Sequence, residues 1–249
     1  YRHIMHIKEN VYLSIVIPAY NEEKRIGATL EKIISYLQIK DFMSEIIVVV
    51  DGGSDSTVEV VKSYEQLFDK LVILVNETTM GKGYSVRRGV LESKGDIVLF
   101  TDADLSTPIG EVEKLFFWLD KGYDVAIGSR SLKESQVEIY QSFIRQSMGK
   151  TFNKILKLIV FTGFKDTQCG FKCFKRYAAD KVFAKQMISG FAFDVEILLI
   201  AKRQGFRTKE VPVIWLNSPF STVHIIKDSF LMLCDLFRIK YYDISKKYH

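Results

Sequence analysis

Short apolar runs alternate with amphipathic segments through the first half of the chain, and this alternation constrains the fold more than any other feature. The apolar runs have strand length and span 13–17, 45–50, 71–75, 96–100 and 124–127. The segments between them carry apolar residues at helical spacing and span 22–37, 57–68, 83–93 and 110–119. Strands that alternate with helices indicate a mostly parallel sheet with helices on both faces. We therefore predict an α/β fold, built as a single domain over residues 1–249.

The pattern changes after residue 130. The elements predicted there are a helix over 142–161, strands over 170–174 and 208–215, a helix over 193–203 and a final helix over 223–245. Residues 131–185 hold eleven Lys and Arg against four Asp and Glu, although the net charge of the whole chain is +5. A segment this basic suits an anionic membrane surface or a phosphorylated partner, and its amphipathic helix suits a membrane interface. A helix packed on the sheet with a solvated basic edge is the alternative.

Cysteine usage and hydropathy exclude several classes of protein. Three cysteines give no disulfide framework and favour a reducing compartment. The sequence has no apolar run of about 18 residues, so we expect no membrane-spanning helix, and it shows no signal peptide. An anchor segment upstream of Tyr1 stays an open alternative.

Two aspartates follow the predicted strand over 96–100. Residues two apart in a strand point the same way, so we expect Asp102 and Asp104 to present their carboxylates together at the end of this strand. Paired carboxylates suit a hard divalent cation that takes oxygen ligands. Two solvated turn aspartates are the alternative.

Three more polar clusters lie at the ends of predicted strands or the start of a predicted helix. After the first strand, the ring of Tyr20 suits stacking on a base and the carboxylate of Glu22 suits a sugar or base N–H. Asp51 closes the second strand and precedes two glycines, which let the backbone approach a ligand. Lys82 lies between glycines at a helix start, where backbone N–H groups favour phosphate. Ordinary turns and helix caps are the alternatives for these clusters.

Four motifs of the first half, taken in order, resemble the nucleotide-diphospho-sugar domain of glycosyltransferase family 2. They are SIVIPAYNEE, IIVVVDGGSDST, GKGYSVRRG and VLFTDADLSTP. Motifs of the second half look like those of the polyprenyl-phosphate hexosyltransferases, the dolichyl-phosphate glucose and mannose synthases. These are GSR at 128–130, DTQCGFK at 166–172, FDVE at 193–196 and EVPV at 210–213. The resemblance covers roughly residues 12–240 and is closer to the glucose branch.

This resemblance implies a fold of the GT-A type, with a nucleotide-sugar and metal-binding half over 12–130 and an acceptor and membrane-facing half over 131–249. In the first half, the residues implied to bind the donor are Pro18, Tyr20, Glu22, Asp51, Lys82 and Asp102. Asp102 and Asp104 are implied to bind Mg²⁺ or Mn²⁺. In the second half, Arg130 and Arg145 are implied to bind the acceptor phosphate, and Asp194 is implied to lie near the sugar. Asp104, Asp194 and Arg130 form the expected catalytic set.

The expected reaction is transfer of a hexose from a nucleotide-diphosphate sugar to a polyprenyl phosphate with inversion. UDP-glucose is the favoured donor and GDP-mannose the alternative, while the acceptor is dolichyl or undecaprenyl phosphate. A phosphomonoester is already an anion at neutral pH, so direct displacement needs no protein base. We expect a peripheral enzyme on the cytoplasmic side of a membrane, with no nucleic acid as partner. A soluble family 2 enzyme that glycosylates a glycan or protein hydroxyl is the main alternative.

Two positions depart from the family pattern. Ser106 stands where the mannose synthases have a glutamine metal ligand. Thr222 stands where the family has a lysine, with His224 and Lys227 as the nearest substitutes.

Overall fold

The structure, a computed structural model, describes residues 10–138, 160, 163–216 and 225–249. The predicted basic helix over 142–161, including Arg145, lies outside the described residues except for Val160. The segment 217–224, with Thr222 and His224, and the side chain of Lys227 lie outside them as well.

Nine strands and seven helices make up the described part of the chain. The strands are β1 Leu13–Ala19, β2 Ser44–Asp51, β3 Leu71–Asn76, β4 Ile97–Thr101, β5 Val125–Ser129, β6 Gln136–Glu138, β7 Phe171–Lys175, β8 Thr208–Pro212 and β9 Ile214–Leu216. The helices are α1 Ile26–Gln38, α2 Thr57–Lys62, α3 Lys82–Glu92, α4 Val112–Asp120, α5 Arg176–Lys185, α6 Phe193–Arg203 and α7 Ile225–Ile244, and a short 3₁₀ turn, Ile109–Glu111, precedes α4.

Seven strands form the main sheet in the order β3-β2-β1-β4-β7-β5-β8. Strands β1 to β4 pair in parallel with one another, and so do β5 and β8. Strand β7 runs antiparallel to both of its neighbours, β4 and β5. The prediction of a mostly parallel α/β sheet is confirmed, and β7 inserts the second half of the chain into the centre of the sheet.

Buried side chains cover both faces of this sheet, because successive residues of a strand point to opposite faces. In β1, Ile15 and Ile17 face the core that contains α1 and α4. Val16 faces the other core, which contains α3, α5, α6 and part of α7. The helices therefore lie on both faces, as predicted.

Several predicted boundaries were wrong for identifiable reasons. The strand predicted over 208–215 is two strands, because the chain leaves β5 after Pro212 and Ile214 pairs with β6 instead. Strand β9 then pairs with β6 in a separate two-stranded sheet. Helix α2 ends at Lys62 rather than Phe68, because the chain continues in three-residue turns such as the Tyr64 N–H to Val61 C=O bond, 3.0 Å.

The first helix also begins later than predicted, and one helix was missed. Helix α1 begins at Ile26, since the carbonyl of Glu22 accepts the N–H groups of Arg25 and Ile26 in a preceding turn. Helix α5 was not predicted, although Ala178, Ala179, Val182 and Phe183 are all buried and share one helical face.

Helix α3 packs closely against β1 and β2 at Gly89. A Cβ built there lies 2.9 Å from Cγ2 of Val49 and closer still to Val16. We predict that Gly89→Ala lowers the free energy of unfolding by about 1–3 kcal/mol through overpacking. A Cβ on Gly110 meets nothing within 4 Å, so Gly110→Ala is the matched control. Urea denaturation measures both, and equal midpoints for the two variants would contradict this packing.

Candidate active site

The carboxyl ends of β1, β2 and β4 meet at one edge of the sheet, because these strands are parallel. Four predicted site residues therefore gather there. Tyr20 follows β1 and is exposed, whereas Glu22 and Asp51 are buried beside it. Asp102 directly follows β4. This edge is where the sequence placed the nucleotide site.

The two aspartates of the DAD segment lie in a turn rather than in a strand. Strand β4 ends at Thr101, and the N–H of Leu105 donates to the carbonyl of Asp102 at 3.0 Å. The N–H of Ser106 donates to Oδ1 of Asp104 at 3.0 Å. Leu105 has a φ of +46°, in the left-handed region. The expected alternation within a strand was wrong, and a tight turn instead directs the carboxylates of Asp102 and Asp104.

Gly170 makes room for the carboxylate of Asp102. The carbonyl of Gly170 accepts the N–H of Asp102 at 3.2 Å, and a Cβ at position 170 would overlap the carboxylate. Oδ1 of Asp102 is buried, and no hydrogen-bond donor is aligned to it among the described residues. Its close neighbour is Nζ of Lys82, at an ion-pair distance of 2.6 Å. Glycine is therefore required here for the shape of the site.

A chain of alternating charges runs inward from Asp102. We call Asp102, Lys82, Asp194 and Lys172 the four-charge network. Lys172 is fully buried, pairs with Oδ1 of Asp194 and donates to the carbonyl of Cys169 at 2.6 Å. Burial alone would lower the pKa of Lys82, but the charges of Asp102, Asp194 and Asp104 raise its pKa above the ordinary range. The network keeps each buried charge opposite one of the other sign.

Asp194 lies at the centre of this network, at the start of α6. Burial raises its pKa, and the ammonium groups of Lys172 and Lys82 act in the opposite direction. The sequence reading placed Asp194 near the sugar but missed Lys172. The available signal was a lysine inside a buried strand, since a buried ammonium group requires a counter-charge.

Arg130, predicted to bind the acceptor phosphate, is held in a fork by Asp166. Its Nε lies 2.7 Å and its Nη2 2.9 Å from the two carboxylate oxygens, and its backbone N–H donates to the same carboxylate at 3.0 Å. Burial would raise the pKa of Asp166, but the guanidinium group lowers it to about 2. Asp166 binds Nε and Nη2 and so fixes the direction of the planar guanidinium group. Nη1 is on the side that faces away from Asp166. The sequence motif DTQCGFK includes Asp166, but its pairing with Arg130 was not predicted.

Glu22, predicted as a donor ligand, is paired with Arg25. Nε and Nη2 of Arg25 lie 2.7 Å and 2.5 Å from the carboxylate oxygens of Glu22. Nη1 of Arg25 lies 3.9 Å from Oδ2 of Asp104. Burial raises the pKa of Glu22, and Arg25 opposes that rise. Arg25 therefore links the end of β1 to the DAD turn, a role that the sequence reading missed.

Asp51, the second predicted donor ligand, holds the loop that carries Lys82. Its carboxylate accepts the N–H groups of Met80 at 2.9 Å and Gly81 at 2.7 Å, and the amide of Asn76 at 2.7 Å. Gly81 has a φ of +101°, which glycine adopts without strain. Asp51 thus positions the start of α3.

Pro18 and Ser106 are buried beside this edge. Pro18 lies in β1 opposite Val49 of β2. The pairing of β1 with β4 ends at Val16, so the N–H group that proline lacks costs no hydrogen bond to β4. The carbonyl of Ser106 accepts the N–H of Leu216 at 2.7 Å, which ties the DAD turn to β9.

Comparison with known proteins identifies the class of this site. The family model of Glycosyl transferase family 2 matches residues 14–183. The chain belongs to this family and is a glycosyltransferase.

Within the family, the chain is similar over most of its length to dolichyl-phosphate beta-glucosyltransferases. One from Trichomonas vaginalis is 36% identical and the match covers 93% of this chain and 74% of that protein. One from Dictyostelium discoideum is 36% identical, with 94% and 75% covered. One from Saccharomyces cerevisiae is 34% identical, with 93% and 75% covered. The predicted resemblance to this group is confirmed.

Solved structures confirm the fold of the GT-A type. Glucosyl-3-phosphoglycerate synthase from Mycobacterium tuberculosis in complex with UDP superposes with a TM-score of 0.66 at 20% identity, covering 93% of this chain and 80% of that one. Mannosyl-3-phosphoglycerate synthase from Rubrobacter xylanophilus superposes with a TM-score of 0.69 at 18% identity, covering 95% and 75%.

From the two-point ion pair between Arg130 and Asp166 we predict a contribution to the free energy of unfolding that depends on pH. The pKa of Asp166 is lowered, so this contribution is present above the ordinary carboxylate pKa and is lost as the pH falls towards about 2. We predict that Asp166→Asn lowers the free energy of unfolding by about 2–3 kcal/mol near neutral pH. The difference in free energy of unfolding between the wild type and Asp166→Asn should become smaller as the pH falls from about 4 to about 2.

Urea denaturation of both proteins at several pH values measures this gap. The matched control is Asp180→Asn, which removes an exposed carboxylate paired with Arg176 and should change the free energy of unfolding by less than about 1 kcal/mol. A gap between wild type and Asp166→Asn that stays constant down to about pH 2 would contradict the assignment.

Proposed function

We propose that this chain transfers glucose from UDP-glucose to dolichyl phosphate, with inversion at the anomeric carbon. The observation that carries the proposal is the arrangement of opposite charges at one edge of the sheet. Two carboxylates suit a divalent cation, Lys82 suits the donor diphosphate, and the guanidinium of Arg130, fixed by Asp166, suits a second phosphate. The activity shared by name among the quoted relatives supports the same reaction. GDP-mannose and undecaprenyl phosphate are the alternative donor and acceptor.

The residues of the DAD turn fit a hard divalent cation, Mg²⁺ or Mn²⁺. The carboxylate of Asp102 lies in the space that Gly170 leaves, with Oδ1 beside the ammonium of Lys82, and Asp104 supplies a second set of hard oxygens. Glucosyl-3-phosphoglycerate synthase from Mycobacterium tuberculosis has been solved in complex with Mn²⁺, UDP-glucose and phosphoglyceric acid. We propose that Asp102 and Asp104 hold the cation, which when bound supplies positive charge to the leaving diphosphate.

For the donor half, over residues 12–130, we propose a division of labour. Tyr20, whose ring is exposed, stacks on the base, and Pro18 shapes the floor beneath it. Glu22 and Asp51 act mainly by holding Arg25 and the loop before α3. The ammonium of Lys82 stabilises the charge that develops on the departing diphosphate. The N–H groups of Gly83 and Tyr84 at the start of α3 donate to the carbonyl of Ser189 instead.

The acceptor phosphate attacks the anomeric carbon directly. Its oxygen forms the new bond to carbon while the bond from carbon to UDP breaks, and UDP leaves with the electron pair. No proton has to move, because the phosphomonoester is already an anion. Arg130 binds this anion, together with Arg145 from the acceptor half over residues 131–249. Asp194, held between two lysines, positions the sugar and does not serve as a base.

A transfer assay tests this proposal. Purified protein receives radiolabelled UDP-glucose or GDP-mannose, Mg²⁺ or Mn²⁺, and dolichyl or undecaprenyl phosphate. We predict that label from UDP-glucose enters the organic phase with dolichyl phosphate, and that Asp104→Ala lowers the rate about 100-fold or more because it removes a cation ligand. Asp120→Ala is the matched control, since this exposed carboxylate ends α4 at the opposite edge of the sheet.

Each other outcome of the assay contradicts part of the proposal. Label from GDP-mannose alone would change the donor, and label entering only a water-soluble hydroxyl acceptor would replace the lipid acceptor. Full activity of Asp104→Ala would refute the cation site.

Helix α7 carries an apolar stripe on its outer side. Phe230, Phe237, Tyr241 and Ile244 are each exposed by more than half and recur at helical spacing. Leu236 and Ile239, on the opposite side, are fully buried against the core. The exposed cations Arg238 and Lys240 flank the stripe.

We propose that this stripe lies in the surface of an anionic bilayer, which is where a polyprenyl acceptor is found. Apolar side chains flanked by Lys and Arg are typical of interfacial helices. No described helix combines the length and the hydropathy that crossing a bilayer requires. The cytoplasmic side of a membrane remains our proposed location.

Vesicle sedimentation tests the stripe. We predict that the double variant Phe237→Ser/Tyr241→Ser binds anionic vesicles at least about 10-fold more weakly, because two aromatic rings no longer leave water. Leu67→Ser is the matched control, since Leu67 is 58% exposed in a turn after α2. Equal weakening by the control, or unchanged binding by the double variant, would show that the stripe does not contact lipid.

A further inference from the structure

Tyr248, near the end of the described chain, is fully buried beneath α6. Its hydroxyl donates to Oε1 of Glu196 at 2.6 Å, and its carbonyl accepts the side-chain amide of Gln204 at 2.6 Å. Its ring also packs edge-on against Tyr242, with the centroids 6.2 Å apart. The segment after α7 is therefore locked onto α6 by directional bonds.

The carboxylate of Glu196 connects Tyr248 to a loop on the other side of α6. Glu196 is fully buried and accepts the N–H groups of Met187 at 3.0 Å and Ile188 at 2.8 Å. Three donors thus share one carboxylate, and two of them belong to the loop over 186–190. Neither the displacement reaction nor the cation site uses Glu196.

The same loop supports the start of α3. The carbonyl of Ser189 accepts the N–H groups of Gly83 at 2.7 Å and Tyr84 at 3.2 Å. The side chain of Gln186 donates to the carbonyl of Gly83 at 2.8 Å. Cβ atoms on Gly81 or Gly83 would overlap the backbone of the loop. The contact is therefore close, and Lys82 lies between these two glycines.

We infer that Glu196 and Tyr248 are positioning residues for the nucleotide-sugar site. Tyr248 fixes Glu196, Glu196 fixes the loop over 186–190, and the loop holds the start of α3 with Lys82 facing Asp102. The identity of the ligand rests on the proposed function. A small displacement of Lys82 would weaken both the binding of the diphosphate and catalysis steeply. Glu196 and Tyr248 therefore affect the site without touching the ligand.

Tyr248→Phe tests the inference, because it removes a hydroxyl and leaves the ring in place. Two readouts are measured: amide hydrogen exchange at Met187, Ile188, Gly83 and Tyr84, and the dissociation constant of UDP by calorimetry. We expect exchange at these amides to become about 3- to 10-fold faster and the dissociation constant to rise by a similar factor, as the loss of one buried hydrogen bond implies. The kcat at saturating donor should fall by a similar factor, because Lys82 stabilises the charge that develops on the departing diphosphate.

Arg203→Gln is the matched control. Arg203 forms a two-point pair with Asp243, at 2.6 Å and 2.7 Å, which ties α6 to α7 without a contact to the loop. We expect this variant to lower the melting temperature while loop exchange and UDP affinity stay at wild-type values.

Two results would overturn the inference. Tyr248→Phe could leave both loop exchange and UDP affinity unchanged, or Arg203→Gln could alter them as much as Tyr248→Phe does. A wild-type protein that binds neither UDP nor UDP-glucose would refute the proposed donor instead, and the exchange data would still decide whether Tyr248 holds the loop.

Discussion

The four-charge network is the interaction on which the rest of the site depends. Moving single charges out of water is expensive, so a buried ammonium such as that of Lys172 persists only beside an opposite charge. Asp194 provides it, and Lys82 and Asp102 extend the alternation to the edge of the sheet. The antiparallel strand β7 makes this possible, because it places Lys172 opposite Phe100 in the strand that leads to Asp102.

Carboxylates that accept backbone N–H groups fix the loops around this network. Asp51 holds the loop before α3, and Glu196 holds the loop over 186–190. Glu210 accepts the N–H groups of Lys165 and Asp166, the latter at 2.8 Å, and so places the carboxylate that directs Arg130. The site is thus preorganised by side chains that need not touch a ligand themselves.

The sequence predicted the part of this structure that depends on local periodicity. Strands β1 to β5 and the helices between them follow from apolar spacing, and the family follows from motif order. The antiparallel insertion of β7 could not be predicted in this way, because strand order depends on contacts between distant segments. The DAD residues were placed at the correct strand, but a turn rather than strand alternation directs them.

Site residues whose roles depend on distant partners were missed for the same reason. Lys172 pairs with a residue 22 positions away, and Asp166 with one 36 positions away. Each pair joins different segments of the chain, so the periodicity within one helix or strand does not reveal it. The roles of Pro18, Tyr20, Glu22, Asp51 and Arg130 in ligand binding stay predictions, although the structure shows which protein groups hold them.

The claim that Asp194 is a charge partner and not a base can be measured directly. Removing Asp194 alone would leave Lys172 buried without its counter-charge, so the informative protein is the double variant Lys172→Met/Asp194→Asn. The measurement is the pH dependence of kcat/KM for transfer to dolichyl phosphate. We predict a profile with the same shape as that of the wild type, at a lower rate. A rate that instead rises steadily with pH, as expected when a general base is lost, would contradict direct displacement by the acceptor phosphate.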